Sequence, residues 1–333
     1  MKNNLFTPFI DKNRSGIMGV ATLGVLMVHS NAIVKWPSIL QKLFSFGGTG
    51  VYVFVFLSAM GLYYSLKKRG GGGYSKKEFY LRRCTRVFIP YLIIAGTWYA
   101  VNDLLIMRSP LKFIYDLSTL SFWTEHQGAW YVAMLVPLYI VYPWFYDWVE
   151  KAKTKTKIIV ILLGSIVVFF GVSISLPAFY HHLEQVFSSV IVFLIGYLYT
   201  KLRDEGHDYW LGFSLLCVGV FFLKALTNLG NYSFMSHLAW SMLGIPITFG
   251  SAIVLGVFRE SVMSRFIQKM GKYSLEMYLW NIFLLAAYQQ LGLINRVENK
   301  NFLFGLVAYA MIVLCGVMLN VICDRILSHV KNM

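Results

Sequence analysis

Charge is scarce in this chain: Asp, Glu, Lys and Arg together make up 14% of 333 residues, against 57% hydrophobic and 17% aromatic, and the mean hydropathy is +0.60. A water-soluble globule of this length needs far more polar surface, so that class is excluded. Cysteine is sparse as well. Cys84, Cys217, Cys315 and Cys323 are scattered at or within apolar stretches without metal-ligand spacing, which excludes a disulfide framework and a zinc site, and no metal is expected. No fixed-period repeat is present, and no inverted pair of Gly/Pro-broken apolar segments of the kind transporters carry. The only low-complexity stretch, KKRGGGGYSKK from Lys67 to Lys77, lacks the strand-to-helix context of a phosphate-cradling loop and reads as a flexible connection. No polar stretch is long enough for a soluble domain, so a single integral membrane domain over residues 1–333 is expected.

What the chain has is long apolar runs. Ser15–Val34, Phe46–Leu66, Gln127–Tyr146, Ile158–Leu183 and Asn301–Cys323 each come near the roughly 20 residues needed to cross about 30 Å of hydrocarbon as helix. The first run follows Lys2, Lys12 and Arg14, but it is too long for a signal-peptide core and no small-residue cleavage site follows, so it is expected to persist as a helix. The fold expected is all-α and polytopic, with about ten transmembrane helices near 15–34, 46–66, 87–107, 128–147, 158–176, 185–201, 209–227, 237–258, 274–292 and 302–323. With both termini cytoplasmic, 23 of the 30 Lys and Arg fall on the inner side, as the positive-inside rule requires of a multi-pass protein of the cytoplasmic (inner) membrane. Anionic lipid then accounts for the net charge of +15, and no nucleic-acid partner is called for.

Few residues in such a chain can carry chemistry. His29 stands about two thirds of the way along the first span, GIMGVATLGVLMVHSNAIV. An ionisable group inside a span is costly and marks a functional position, although a neutral imidazole can also serve as a hydrogen-bonding link to a neighbouring helix. The densest basic stretch is KKEFYLRRCTRVFIPYL, Lys76 to Leu92, with Arg82, Arg83 and Arg86 just before the third span. On a helix Arg83 and Arg86 share a face and offer two guanidinium forks to one polyanion such as a phosphate; basic residues also flank cytoplasmic helix ends for topological reasons alone. Glu276 falls in the first turns of the ninth span. His181 and His182 are expected in a solvent-exposed outer loop, LPAFYHHLEQ, and Asp116, Glu125 and His126 in an aromatic outer segment that reads as an interfacial helix. Lys224 can snorkel from the outer end of the seventh span.

Five stretches in order resemble the acyltransferase type 3 family of integral membrane acyltransferases: MGVATLGVLMVHS, GGTGVYVFVFLSAMGLYYS, FYLRRCTRVFIPYL, GAWYVAMLVPLYIVYP and MGKYSLEMYLWN. The resemblance implies about ten helices and transfer of an acetyl or similar acyl group from cytoplasmic acyl-CoA to a hydroxyl of an extracytoplasmic or lipid-linked glycan of the cell envelope. It makes His29 the catalytic base or acyl carrier. Acetyl-CoA is the implied donor substrate, with Arg83 and Arg86, assisted by Arg82 and Arg14, holding its phosphates. Glu125, Trp130, Tyr131 and Asn281 are assigned to the acceptor side. The chain departs from the pattern at Met18, where the family carries arginine on the histidine's face, at Tyr52, usually acidic, at Ala59, usually glycine, and at Asn281, often histidine. Arg14, one turn before Met18, is the expected substitute. The competing expectation is an exporter of a polysaccharide or lipid-linked intermediate without covalent chemistry. Oligomeric state has no signature in the sequence.

Overall fold

A computed structural model describes residues 9–34, 36–67, 75–125, 128–151, 155–227, 232–290 and 302–332. Among the described residues there is no strand. Helix α1 spans Ile10–Ser30 and α2 Ser38–Ser45; α3 (Gly50–Lys67) follows through a 3-10 turn, and α4 is Lys76–Tyr99. A π-helical turn, Ala100–Ile106, extends α4 and precedes α5 (Pro110–Leu117) and α6 (Leu120–Glu125). Then come α7 (Trp130–Lys151), α8 (Thr156–Ser175), α9 (Pro177–Asp204), α10 (Trp210–Leu226), α11 (Ser233–Met242), α12 (Gly244–Val257), α13 (Val262–Lys272), α14 (Ser274–Gln290) and α15 (Phe302–Asn332). Helices are the expected solution, because hydrocarbon offers no partner for an open peptide group.

Among the described residues six stretches are long and apolar enough to cross a membrane: Ser38–Lys67, Lys76–Ile106, Trp130–Lys151, Thr156–Ser175, Pro177–Asp204 and Ser233–Val257. The other expected spans fall on α1, whose first turns carry Asp11, Lys12 and Arg14, on α10 and α14 at 17 residues each, and on α15, whose apolar part is Ala310–Ile322. The expected span 237–258 is divided between α11 and α12, with Leu243 at the junction. One boundary is corrected outright. The expected outer loop around His181 and His182 is helical, because α9 starts at Pro177, in the first-turn position where a missing N–H costs nothing. The glycine run 70–73, His126 and Lys35 lie outside the described residues.

Local sequence explains the helix ends. Ser75 caps α4, its side chain accepting from the Glu78 N–H, an S-x-x-E arrangement. Ser109 caps α5 in the same way, with Pro110 next. At the end of α9, Gly206 adopts φ +92°, and the His207 N–H returns to the Leu202 carbonyl while that of Gly206 returns to Arg203, closing a Schellman motif.

The chain forms two compact units, each assembled from three segments. The first comprises Met1–Ala21, Thr49–Tyr74 and Val141–Gly271, and so holds most of α1, all of α3 and α8 to α13. There α9 packs on α3, α8 and α11, and α12 on α3 and α10. A tyrosine-rich core, with Tyr63, Tyr142 and Tyr146 around Tyr197, continues into a buried ion pair in which Lys201 Nζ donates to both Glu150 carboxylate oxygens at 2.8 Å and the Tyr197 hydroxyl adds a third bond. So complete a set of charge-assisted bonds is what allows a lysine to be buried. Helix α8 is different, with only 6% of its apolar window covered, as suits a lipid-facing helix.

The second unit comprises Thr22–Gly48, Ser75–Ile140 and Lys272–Met333. Helix α14 is its centre, packed on α4 and α15, while α5 and α6 pack on each other beside the π-helical turn. The end of α1 approaches the 3-10 turn backbone to backbone: a Cβ on Gly47 would overlap the Gly24 carbonyl. Replacing Gly47 with Val is therefore expected to cost more than the roughly 1–3 kcal/mol typical of overpacking. The contrast is Gly164→Ala on α8, where nothing lies within 4 Å. There the exchange is expected to be neutral or to stabilise by about 0.5–1 kcal/mol. Thermal unfolding of the two detergent-solubilised variants checks both.

Candidate active site

In the second unit the last turn of α1 brings His29 against α14. The imidazole, through Nδ1, faces the side-chain amide of Asn281 within hydrogen-bonding reach. Asn281 is 1% exposed, so each group supplies the partner that the other would lack in an apolar interior, where an unmade bond costs about 1–3 kcal/mol. The turn that carries His29 is fixed by its neighbour: Ser30 Oγ donates to the Met27 carbonyl at 2.5 Å and accepts from Trp36 Nε1 at 2.7 Å.

The amide determines the chemistry open to the ring. If its NH2 donates to Nδ1, the neutral imidazole carries its proton on Nε2. If its carbonyl accepts from Nδ1–H, the Nε2 lone pair is left bare, the form needed by a base or a nucleophile. Asn281, assigned from the family pattern to the acceptor side, thus stands as the partner of His29 itself.

Trp130 and Tyr131 open α7, and Tyr131 is tied to the same helix. The Tyr131 N–H reaches the Tyr278 hydroxyl at 3.4 Å, and the two rings meet edge-on at 5.8 Å. Tyr278 lies three residues before Asn281, on the same face of α14. Two residues past Asn281, Phe283 packs edge-on against Tyr99 near the end of α4, ring centres 5.5 Å apart. Gly128, at φ +87°, sits against the Tyr99 hydroxyl, where a Cβ would be 2.6 Å away, and so sets where α7 starts. Glu125 is not brought to this group. Its carboxylate receives Lys112 Nζ at 3.0 Å, and Lys112 also pairs with Asp116 at 3.4 Å. Burial works against the charge on Lys112, but the bond to Glu125 and the Asp116 carboxylate hold its pKa above the ordinary lysine value. The buried carboxyl of Asp103, in the π-helical turn, receives Asn102 Nδ2 at 2.7 Å; sequence reading did not single it out.

The arginines occupy the first turns of α4. Arg82 is turned back along its own helix, 2.6 Å from Glu78. Arg83 lies over the Phe79 ring at 5.6 Å, and Arg86 is exposed. Pro90, without an N–H, removes the helical bond that the Arg86 carbonyl would otherwise accept. Arg14 belongs to the first unit, where its guanidinium donates to the Leu57 carbonyl of α3 at 2.8 Å and leaves no room for a Cβ on Gly61. Tyr52, at the family's acidic position, is buried in that unit near the Glu184 carboxylate.

The fold and this site define a helical membrane protein with an imidazole–amide pair in its interior and an arginine cluster at the start of another helix of the same unit. The family model described as an acyltransferase domain (Acyl_transf_3) matches residues 16–321, and the chain belongs to that family. Comparisons with curated proteins and with solved structures return no match. The family's chemistry is acyl transfer. Because Asn281 holds the imidazole of His29, Asn281→Leu is expected to lower kcat for acyl transfer roughly 10–100-fold with little change in KM for the donor. Steady-state kinetics on the purified variant measure that split.

Proposed function

We propose that this chain is an O-acyltransferase of the cytoplasmic membrane, moving an acetyl or similar acyl group from cytoplasmic acyl-CoA to a hydroxyl of an extracytoplasmic or lipid-linked glycan. The observation that carries the reading is the separation, within one unit, of a phosphate-binding type of cluster from a general-base type of group. From Arg86 to Tyr99, 13 residues on, α4 rises about 20 Å. Tyr99 meets Phe283, two residues from Asn281 and its bond to His29. The arginines and the imidazole are thus separated by about two thirds of the roughly 30 Å hydrocarbon layer. A donor with phosphates at one end and a thioester at the other suits that span.

Arg83 and Arg86 are the residues for the donor phosphates, through charge-assisted N–H bonds. Arg82 is engaged with Glu78 and contributes charge; Arg14, bonded to Leu57, is given a helix-tying role instead of the donor-binding one. At the other end the acceptor hydroxyl gives its proton to His29 Nε2 as its oxygen bonds to the thioester carbonyl carbon. The C–S bond breaks and the proton passes to the departing thiolate, yielding ester and free CoA thiol. In the two-step variant Nε2 bonds to the thioester carbonyl carbon as the C–S bond breaks and CoA leaves as thiolate; the hydroxyl then takes the acyl group from the imidazole, and its proton ends on the thiolate. Both routes need the Asn281 carbonyl to accept from Nδ1–H, which takes a 180° flip of the amide whose Nδ2 faces Nδ1 in the structure. Trp130 and Tyr131, held one turn away, suit the acceptor's approach, whereas Glu125 serves Lys112. Membership of an acyltransferase family does not favour the exporter alternative.

Purified His29→Ala is expected to lose acceptor-dependent CoA release from acetyl-CoA by about 10²–10⁴-fold, and full activity in that variant would refute the role. Arg83→Ala and Arg86→Ala are each expected to raise KM for acetyl-CoA about 10–100-fold, the value of one charge-assisted bond of roughly 1.5–3 kcal/mol. An unchanged KM would put the donor elsewhere.

A further inference from the structure

Helix α13 follows the apolar stretch Ser233–Val257 after a short turn, and its 11 residues, VMSRFIQKMGK, are too few and too polar to cross a membrane. It therefore lies where a span ends. One side of it is fixed to α1 within the first unit. Ser15 Oγ donates to the Gln268 carbonyl at 2.8 Å, a Cβ on Gly19 would overlap the Ile267 carbonyl, and one on Gly271 would overlap that of Ser15. Ser264 and Gly271 are buried on that side, and Ser261 starts the helix, its hydroxyl accepting from the Ser264 N–H at 3.0 Å. Backbone contacts this close leave α13 no freedom to roll, so the side it turns outward is fixed as well.

At about 100° per residue, Arg265, Lys269, Val262, Phe266 and Met263 follow one another around roughly 160° of the helix, opposite Ser264 and Gly271. All five are exposed, Val262 at 76%, Met263 at 65% and Phe266 at 49%. The turn before the helix exposes Phe258 and Arg259 as well, with Glu260 beside them. Elsewhere in the first unit cations are met by carboxylates: Lys67 by Asp204, Lys155 by Glu205, Lys201 by Glu150 and Arg203 by Asp11. Among the described residues neither Arg265 nor Lys269 has such a partner. Topology alone asks for positive charge at an inner helix end, but not for large apolar side chains left bare beside it. The charge selects an anion, and the apolar stripe selects an anion that arrives with hydrocarbon. A soluble phosphate would meet the first demand and leave the second. A phospholipid of net negative charge meets both, with phosphate oxygens for the guanidinium fork and the ammonium, and acyl chains along Val262, Met263 and Phe266.

We propose that α13 is a docking surface for anionic phospholipid, with Arg265 and Lys269 on the headgroup phosphate and Val262, Met263 and Phe266 against the acyl chains. Because α13 is locked to α1 backbone to backbone, the bound lipid braces both helices and stabilises the first unit. The test uses the full chain in a neutral detergent, titrated with phosphatidylglycerol or phosphatidylcholine, with retained lipid counted by native mass spectrometry and stability followed by thermal unfolding. Wild type is expected to retain phosphatidylglycerol about tenfold more tightly than phosphatidylcholine and to melt higher in its presence. The double variant Arg265→Gln, Lys269→Gln is expected to lose that preference while melting as wild type does without lipid, since both side chains are exposed; this separates loss of a ligand from loss of fold. Phe266→Ser is expected to weaken retention of both lipids. Lys77→Gln with Lys151→Gln removes the same charge from two other exposed positions and is expected to leave the preference intact. Equal retention of the two lipids by wild type, a preference that survives in the Arg265 and Lys269 double variant, or an equal loss in the Lys77 and Lys151 one would overturn the proposal. So would inorganic phosphate alone raising the melting temperature as far as the lipid does.

Discussion

Hydrocarbon cannot hydrogen-bond, and most of this architecture follows from that one constraint. Helices satisfy their own peptide groups, and a polar side chain in the interior is stabilised where another polar group, side chain or backbone carbonyl, meets it. The bond between His29 and Asn281 is the most consequential instance. It ties the end of α1 to the central helix of the second unit and sets which nitrogen of the ring carries a proton. The same rule governs the first unit, where Lys201 is buried only because Glu150 receives it with both oxygens.

Around the His29–Asn281 bond, α14 works as a spine. Tyr278 holds the start of α7, Asn281 holds the imidazole, and Phe283 meets Tyr99 of α4, all within two turns. One rigid element thus fixes three others relative to the reactive ring, the kind of preorganisation acyl transfer requires. In the proposed donor role the arginines on α4 need less precision, since phosphate is recognised by charge and forked donors over a broad geometry. Placing the exacting group on packed helices and the tolerant one near a helix start is consistent with both demands.

The sequence marked the groups that are chemically conspicuous. His29 was legible because an imidazole in an apolar run is expensive, and the arginines because three fall within five positions before a span. Asn281 was noticed only as a departure from a family pattern. Its role depends on a contact across 252 residues, and an amide's role is set by its partner. Glu125 was drawn to the site by its place in an aromatic segment; in the fold Lys112 claims it. His181 was taken for a loop residue because polar letters interrupted the apolar pattern. In fact Pro177 begins a helix there, and the spacing of His181 and Glu184 becomes one turn.

By itself the sequence determined the helical membrane class, the family pattern and the conspicuous imidazole and arginines, because these follow from composition, period and the cost of burying charge. Only the tertiary structure decided the pairings: His29 with Asn281, Glu125 with Lys112, Arg14 with the Leu57 carbonyl, Glu184 with two histidines from different helices. The physical reason is that a polar group's behaviour in a low-dielectric interior depends on the few ångströms around it, and those are filled by residues remote in the chain.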